Sequence, residues 1–349
     1  MKKQINIADI PIDQNRTYII AEAGSNHNGD YSMAKALIEA AAGAGADAIK
    51  FQTFKAENHY SKHTPQFSYL KEQSDGKSTY DLIKSIEIDR EWHASLMNYA
   101  ASCGISFFSS PCDVQAVDQL AELNVPAFKV ASFDLVDLDL IRYMAKFGKT
   151  MILSTGMADY ADIQKAIGAC EQAANQQLVL LHCTSLYPAP VEISNLLAIQ
   201  TMQKAFNYPV GYSDHTIGDH IPIAAVALGA CMIEKHFTLN HELSGPDHRF
   251  AMEPNELAAM IKRIREVELA RGDGLKKGPH DLEKEMYEKG RRSIHSRRAL
   301  KAGDILMKDD ICIKRPGYGI SPSDMEHIIG LRVCKDIPED YWITWEDLK

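Results

Sequence analysis

The feature that most constrains the fold of this chain is an alternation repeated eight times, a short apolar run followed by an amphipathic stretch. The apolar runs are YIIAE (Tyr18 to Glu22), AIKFQ (Ala48 to Gln52), SFFSS (Ser106 to Ser110), AFKV (Ala127 to Val130), MILS (Met151 to Ser154), LVLLH (Leu178 to His182), VGYS (Val210 to Ser213) and MIEKH (Met232 to His236). Runs this short and this apolar read as strands buried on both faces, while a 3.6-residue period reads as helix. Helical periodicity covers residues 32–44, 90–102, 114–123, 138–146, 161–173, 193–206, 221–228 and 254–271. Strict alternation predicts a parallel sheet, and eight units predict its closure into a (β/α)8 TIM barrel. Gly45, Gly104 and Gly148 follow predicted helices, where a left-handed residue ends the last turn. Gly43-Ala44-Gly45 therefore reads as helix termination, since a dinucleotide-binding turn would follow a strand instead. The segment from Phe54 to Asp89 exceeds an ordinary βα loop and is expected to cover one side of the barrel mouth.

A barrel of this kind takes roughly 250 residues, so 349 residues leave room for a second, smaller domain. The pattern places the barrel at 1–271, a Gly-, Lys- and Glu-rich linker at 272–290 and a small domain of short elements at 291–349. Several function classes are excluded by composition. The net charge of -9 disfavours broad binding of a nucleic acid, because such affinity comes from clustered Lys and Arg. The basic run at Arg291 to Arg298 starts the small domain and is expected to contact protein. Seven scattered cysteines without a CxxC pair argue against a disulfide framework and for a reducing cytoplasm. No apolar run is long enough to span a bilayer, and Asp9 and Asp13 interrupt the start where a signal peptide needs an apolar stretch. A soluble protein is expected.

Barrels of this class build their chemistry at the carboxyl ends of the strands. Each predicted strand carries an unusual polar residue there: Glu22, Lys50 with Gln52, Ser110, Lys129 with Ser132, Ser154, His182, Ser213 to His215, and Glu234 with His236. His215 and His236 end neighbouring strands, which lie about 4.8 Å apart in a sheet. That spacing suits two imidazoles on one divalent ion, with Asp214 and Glu234 close enough to orient a ring through its second nitrogen. The ligand set admits Mn, Mg, Co or Zn. Lys50 and Lys129, costly to desolvate alone, call for an anionic substrate. Ser110, Ser132, Ser154, Ser185 and Ser213 are candidate donors to phosphate or carboxylate oxygens. Glu22 and Glu234 are candidate acid/base groups.

These residues stand in IIAEAGSNHNGD, IKFQTFKAE, FFSSP, FKVAS, LSTGM, LHCTSLYP, VGYSDHT, ALGACMIEKHFT, SGPDH and KRPGYGI. In that order and spacing the chain resembles the sialic acid synthase family over nearly its whole length. The resemblance implies an N-terminal barrel, a C-terminal antifreeze-like (SAF) domain and a domain-swapped homodimer. It implies condensation of phosphoenolpyruvate with an N-acetylated hexosamine to a nine-carbon keto acid, with Mn as the preferred ion and Mg or Co as alternatives. Phosphoenolpyruvate contacts fall on Lys50, Gln52, Ser110, Lys129, Ser132, Ser154, Ser185 and Ser213. Sugar contacts fall on Tyr187, Asp247 and the partner's Arg315, while Glu22 and Asp134 match acidic positions near the reacting carbons. His215 and His236 match the metal ligands.

The acceptor stays open between N-acetylmannosamine and a 2,4-diacetamido-trideoxy hexose. Most motifs look like N-acetylneuraminate or legionaminate synthases, whereas Phe133 before Asp134 looks more like the pseudaminic type. Two readings from other classes remain, the first of them open to a trapping test with borohydride and pyruvate. A Schiff-base aldolase would use Lys50 or Lys129 as nucleophile, and a non-catalytic coat-associated homologue would be expected to lose the histidines or lysines, all of which are present.

Overall fold

A computed structural model describes residues 4–67 and 76–349. By backbone contacts the chain divides after Gly272 into two compact units. The first opens with an antiparallel hairpin, β1 (Asn6–Ile7) and β2 (Ile10–Pro11). Eight βα units follow: β3 (Tyr18–Gly24), α1 (Tyr31–Ala44), β4 (Ala48–Thr53), α2 (Ala56–His59), α3 (Thr79–Ser85), α4 (Trp92–Ser102), β5 (Ser106–Pro111), α5 (Val114–Glu122), β6 (Ala127–Val130), α6 (Leu138–Ala145), β7 (Thr150–Ser154), α7 (Tyr160–Gln172), β8 (Leu178–Cys183), α8 (Ala198–Phe206), β9 (Val210–Asp214), α9 (His220–Ala227), β10 (Met232–His236) and α10 (Pro254–Arg271). The strands run parallel in the hydrogen-bonded order β5-β4-β3-β10-β9-β8-β7-β6. The last strand thus pairs with the first, Met232 opposite Tyr18 and His236 opposite Glu22. β5 and β6, at the ends of that order, pack side by side and complete the ring. The expected (β/α)8 TIM barrel is the observed one.

The helices start where the sequence supplies a cap. Asp30, Asp113, Asp137 and Asp159 cap α1, α5, α6 and α7, each accepting from backbone N–H groups of the first turn. Such a cap contributes about 1 kcal/mol and fixes where each loop at the barrel mouth ends. Gly45, Gly104 and Gly148 adopt φ of 88°, 77° and 66° after α1, α4 and α6, the left-handed turn expected of them. One boundary differs from the sequence reading. Helical periodicity starts at Ile193, but residues 191–193 form a 3-10 turn, Asn195 takes φ 41°, and α8 starts only at Ala198.

Phe54, Ala56, Tyr80, Ile83 and Ile86, from the 54–89 segment with its helices α2 and α3, form a small apolar cluster of their own. Tyr60 and Cys112 pack against it, so the described residues of this segment wall one side of the mouth, while residues 68–75 of it lie outside the described residues. The second unit, from Asp273, holds a two-stranded sheet of β11 (Ser293–Ser296) and β12 (Ile311–Lys314) and a short helix, α11 (Met325–Ile328). Its own core includes Ile294, Leu300, Leu306, Ile311, Ile328 and Ile343. No helix among the described residues is long and apolar enough to cross a membrane.

Candidate active site

Four charged side chains stand in the floor of the mouth, almost wholly removed from water. Glu22 lies in β3, Lys50 in β4, Lys129 in β6 and Glu234 in β10, and all are at most 5% exposed. Lys50 Nζ lies 2.8 Å from Glu22 Oε2, 3.8 Å from Glu234 Oε2 and 3.2 Å from the Ser110 hydroxyl. Lys129 Nζ lies 3.5 Å from Glu234 Oε1, which also accepts from Ser213 Oγ at 3.0 Å. Gln52 Nε2 donates to Glu22 Oε1 at 2.8 Å. Charges buried like this persist only when paired. Burial raises the Glu22 carboxyl, a rise that Lys50 opposes and Glu234 reinforces. Burial also works against charge on Lys50, but Glu22 and Glu234 outweigh it and hold the ammonium above its usual range. Lys129 is lowered by burial, only partly offset by Glu234, while Glu234 is lowered because Lys129 and Lys50 outweigh its own burial. Within this cluster the partners favour charge on Lys50 and Glu234, while burial works against charge on Glu22 and Lys129.

On the β6–β8 side, hydroxyls converge on a turn. The Gly156 amide donates to Ser132 Oγ at 3.0 Å. A Cβ at Gly156 would stand 2.2 Å from Ser185 Oγ and 2.8 Å from Ser132 Oγ. The hydroxyls of Ser154 and Ser185 are buried without a hydrogen-bond partner. Buried donors without partners are uncommon in native proteins, and here they sit where anion oxygens would satisfy them.

Across the mouth, the rings of His215 and His236 stand 5.3 Å apart, centroid to centroid. The expectation that Asp214 and Glu234 orient them is corrected by the geometry. Asp214 instead pairs with Lys235 and receives Thr216 Oγ1, because it points to the opposite face of β9 from Ser213 and His215. Glu234 is taken up by Ser213 and the lysines. The orienting partners are others: His215 Nδ1 meets the Thr184 carbonyl at 2.6 Å, and His236 Nδ1 lies 3.5 Å from Asp247 Oδ2. A proton held at Nδ1 by a carbonyl leaves the His215 Nε2 lone pair for a ligand. His236 Nδ1 is buried and makes no hydrogen bond, and burial together with His215 keeps this ring well below its ordinary pKa, hence neutral. Burial and the nearby Glu22 push the Asp247 carboxyl up to about 7. The two imidazoles and the Asp247 carboxyl are of the ligand types a divalent cation takes.

Tyr187 and Phe250 pack around these rings, with centroids 4.3 Å from His215 and 5.1 Å from His236. Above them lies a cavity of about 140 Å³ lined by Gln52, Ser110, Asp134, Tyr187, His236 and Asp247 among others. Asp134, in the turn after β6, joins a separate group there, with Cys112 Sγ 3.7 Å and His59 Nε2 3.9 Å from its carboxylate. Of the residues singled out in the sequence, Glu22, Lys50, Gln52, Ser110, Lys129, Ser132, Ser154, Ser185, Tyr187, Ser213, Asp247, His215, His236, Glu234 and Asp134 all belong to this end of the barrel. Arg315 lies in the second unit, after β12. Sequence reasoning missed Gly156, His59, Cys112 and Cys183, the last with Sγ 3.9 Å from His215 Nδ1. Cys112 and Cys183 directly follow or end barrel strands, which was the available signal.

Residues 37–276 match the family model described as NeuB family, and residues 291–349 that of the SAF domain. The chain is 44% identical over 328 residues to the N,N'-diacetyllegionaminic acid synthase of Campylobacter jejuni, covering 93% of this chain and 98% of that one. It is 41% identical over 337 residues to the N,N'-diacetyllegionaminic acid synthase of Legionella pneumophila, covering 95% and 94%. Among solved structures, the N-acetylneuraminic acid (sialic acid) synthetase of Leptospira borgpetersenii in complex with citrate superposes with a TM-score of 0.72 at 35% identity, over 82% of this chain and 95% of that one.

Proposed function

The chain belongs to the NeuB family, and we propose that it condenses phosphoenolpyruvate with an N-acetylated amino sugar, a 2,4-diacetamido-trideoxy hexose of the legionaminic series, releasing phosphate. The observation that carries this reading is the pairing, in one mouth, of an anion cradle with a two-histidine cation site. Lys50, Lys129 and the partnerless hydroxyls of Ser154 and Ser185 are suited to the phosphate and carboxylate of phosphoenolpyruvate, leaving its carbon three toward the histidines. A divalent ion on His215 and His236, Mn by preference, would supply Lewis-acid polarisation of the acceptor's aldehyde oxygen. Tyr187, Phe250 and the wall from the 54–89 segment exclude water from the acceptor's side.

Condensation forms a bond between carbon three of phosphoenolpyruvate and the aldehyde carbon and leaves positive charge at carbon two. Water adds at carbon two, and phosphate departs by C–O cleavage to give the keto acid. Glu22, raised by burial yet tied to Lys50 and Gln52, is the group placed to take the proton of that water. Glu234 holds both lysines in position, and Asp134 and Asp247 face the sugar. In the same reading the protein acts in the cytoplasm as a homodimer in which the partner's small domain brings Arg315 to the acceptor. The test incubates the protein with Mn, phosphoenolpyruvate and a panel of N-acetylmannosamine, its 6-phosphate and the 6-deoxy diacetamido hexoses, and measures phosphate release. Release with a diacetamido hexose of the legionaminic series is expected; silence with every sugar would remove the synthase reading.

A further inference from the structure

Among the described residues, one group of three His, Cys, Asp or Glu side chains brings its ligand atoms within 4.8 Å of one another, and it contains neither His215 nor His236. It consists of His59 at the end of α2, Cys112 directly after β5 and Asp134 in the turn after β6. Three separate elements converge there on the wall of the same cavity.

Their spacing is too wide for good hydrogen bonding. His59 Nε2 lies 3.9 Å from Asp134 Oδ1, beyond any imidazole–carboxylate hydrogen bond. Cys112 Sγ lies 3.7 Å from the other oxygen, Oδ2, and 3.8 Å from the Ser110 carbonyl, long thiol contacts shared between two acceptors. The carboxylate is therefore surrounded by a nitrogen and a sulfur that stand off from it. Ligand atoms around a tetrahedral zinc ion, with bonds of about 2.0–2.3 Å, lie roughly 3.3–3.8 Å from one another. The two separations from Asp134, taken to the two different oxygens of its carboxylate, are close to such an edge, and all three ligand atoms lie within 4.8 Å of one another. The ring of His59 is held from both sides, stacked on Phe54 at 6.3 Å and edge-on to Tyr60 at 5.0 Å. Imidazole, thiolate and carboxylate together favour a borderline-soft divalent ion over Mg or Ca, which prefer oxygen.

We infer that His59, Cys112 and Asp134 form a second cation site in the barrel mouth, selective for zinc-like ions, with a fourth position open to the cavity. Its existence does not depend on the proposed reaction. Its consequence does: an ion there engages Asp134, one of the carboxylates assigned to face the sugar, so zinc and acceptor exclude one another.

The test uses cobalt as a spectroscopic stand-in for zinc, on the full-length His215→Ala/His236→Ala variant so that the first site is silent. Titration with Co is expected to produce a near-ultraviolet thiolate-to-cobalt charge-transfer band that saturates at one equivalent and is reversed by zinc. Adding Cys112→Ser should abolish the band, and adding His59→Ala should weaken cobalt binding at least tenfold with circular dichroism unchanged. No band, or a band that survives Cys112→Ser, overturns the inference. Failure of the synthase reading would appear separately, as absent phosphate release by the unmodified protein, and would leave this band untouched.

Discussion

Gly156 has the least room of the chain's glycines for a side chain. A methyl group there would press on the hydroxyls of Ser185 and Ser132, at 2.2 and 2.8 Å, and both would have to turn out of the pocket. Gly156→Ala is therefore expected to raise the KM for phosphoenolpyruvate about tenfold, a loss of about 1.4 kcal/mol, with little change in the acceptor's KM. Steady-state kinetics with each substrate varied in turn would show it, and equal effects on both would place the fault in the fold instead. In the proposed reading His236→Ala removes the orphaned nitrogen and with it the several kcal/mol of Lewis-acid assistance that an ion there would supply, so condensation should fall about a thousandfold or more. Circular dichroism should stay native while calorimetric Mn binding disappears; normal turnover in the presence of a chelator would sink the assignment. These residues differ in how legible they were. His215 and His236 could be read because strand ends and register bring them together across one ladder. The Cys112, His59 and Asp134 group could not, since it joins the 54–89 insertion to two different strands, and a cysteine after an apolar run reads as core.

At the level of elements, the two histidines depend on what holds the ends of β9 and β10. Lys235 and Asp214 lie opposite each other in that ladder, on the outward face, with side chains 1% and 0% exposed. Lys235 also donates to the Thr216 carbonyl, and so ties down the residue that follows His215. Removing one partner of a buried pair leaves an uncompensated charge, so Lys235→Met should cost about 3–5 kcal/mol of stability. Replacing both, Lys235→Met with Asp214→Leu, should recover much of that loss without recovering Mn affinity, because the strand ends are no longer pinned. Urea denaturation and calorimetry on the three proteins distinguish a clamp from a bystander pair, for which Mn affinity would follow stability. The strands themselves were plain in the sequence, because five consecutive buried residues in β7, β9 and β10 can only be apolar or paired. The start of α8 was not, because the Asn195 backbone turns the chain out of helix in spite of a continuing apolar period. Nor could the sequence reveal that Asp214 faces outward to Lys235, since two carboxylates next to a histidine look equally available until alternation along the strand assigns their faces.

For the molecule as a whole, acid and assembly offer two tests. Burial, reinforced by His93, lowers His27 to about 4, and burial lowers His248 to about 4 as well. A histidine with a depressed folded pKa binds fewer protons in the native state between pH 4 and 6.5, so its contribution is complete above 6.5 and is lost as pH falls toward 4. Asp247, raised to about 7, acts in the opposite direction across that whole window, so the histidine effect is isolated by comparison with a His27→Gln variant. Relative to that variant, the unmodified protein should lose on the order of 3 kcal/mol on going from pH 7 to pH 4 in urea denaturation; parallel curves would show that His27 is not held neutral. Assembly is tested by mixing defects. A His236→Ala subunit has a dead barrel and an intact small domain; an Arg315→Ala subunit has the reverse. If each small domain serves its own barrel, no mixture of the two contains an intact site. If it serves the partner's barrel, half of a statistical mixture is heterodimer, and each heterodimer holds one intact site, made from the barrel of one defective chain and the small domain of the other. Co-refolding equal amounts of two inactive proteins should then restore phosphate release to about a quarter of the unmodified value, and an inactive mixture that runs as a dimer on gel filtration would assign Arg315 to its own subunit.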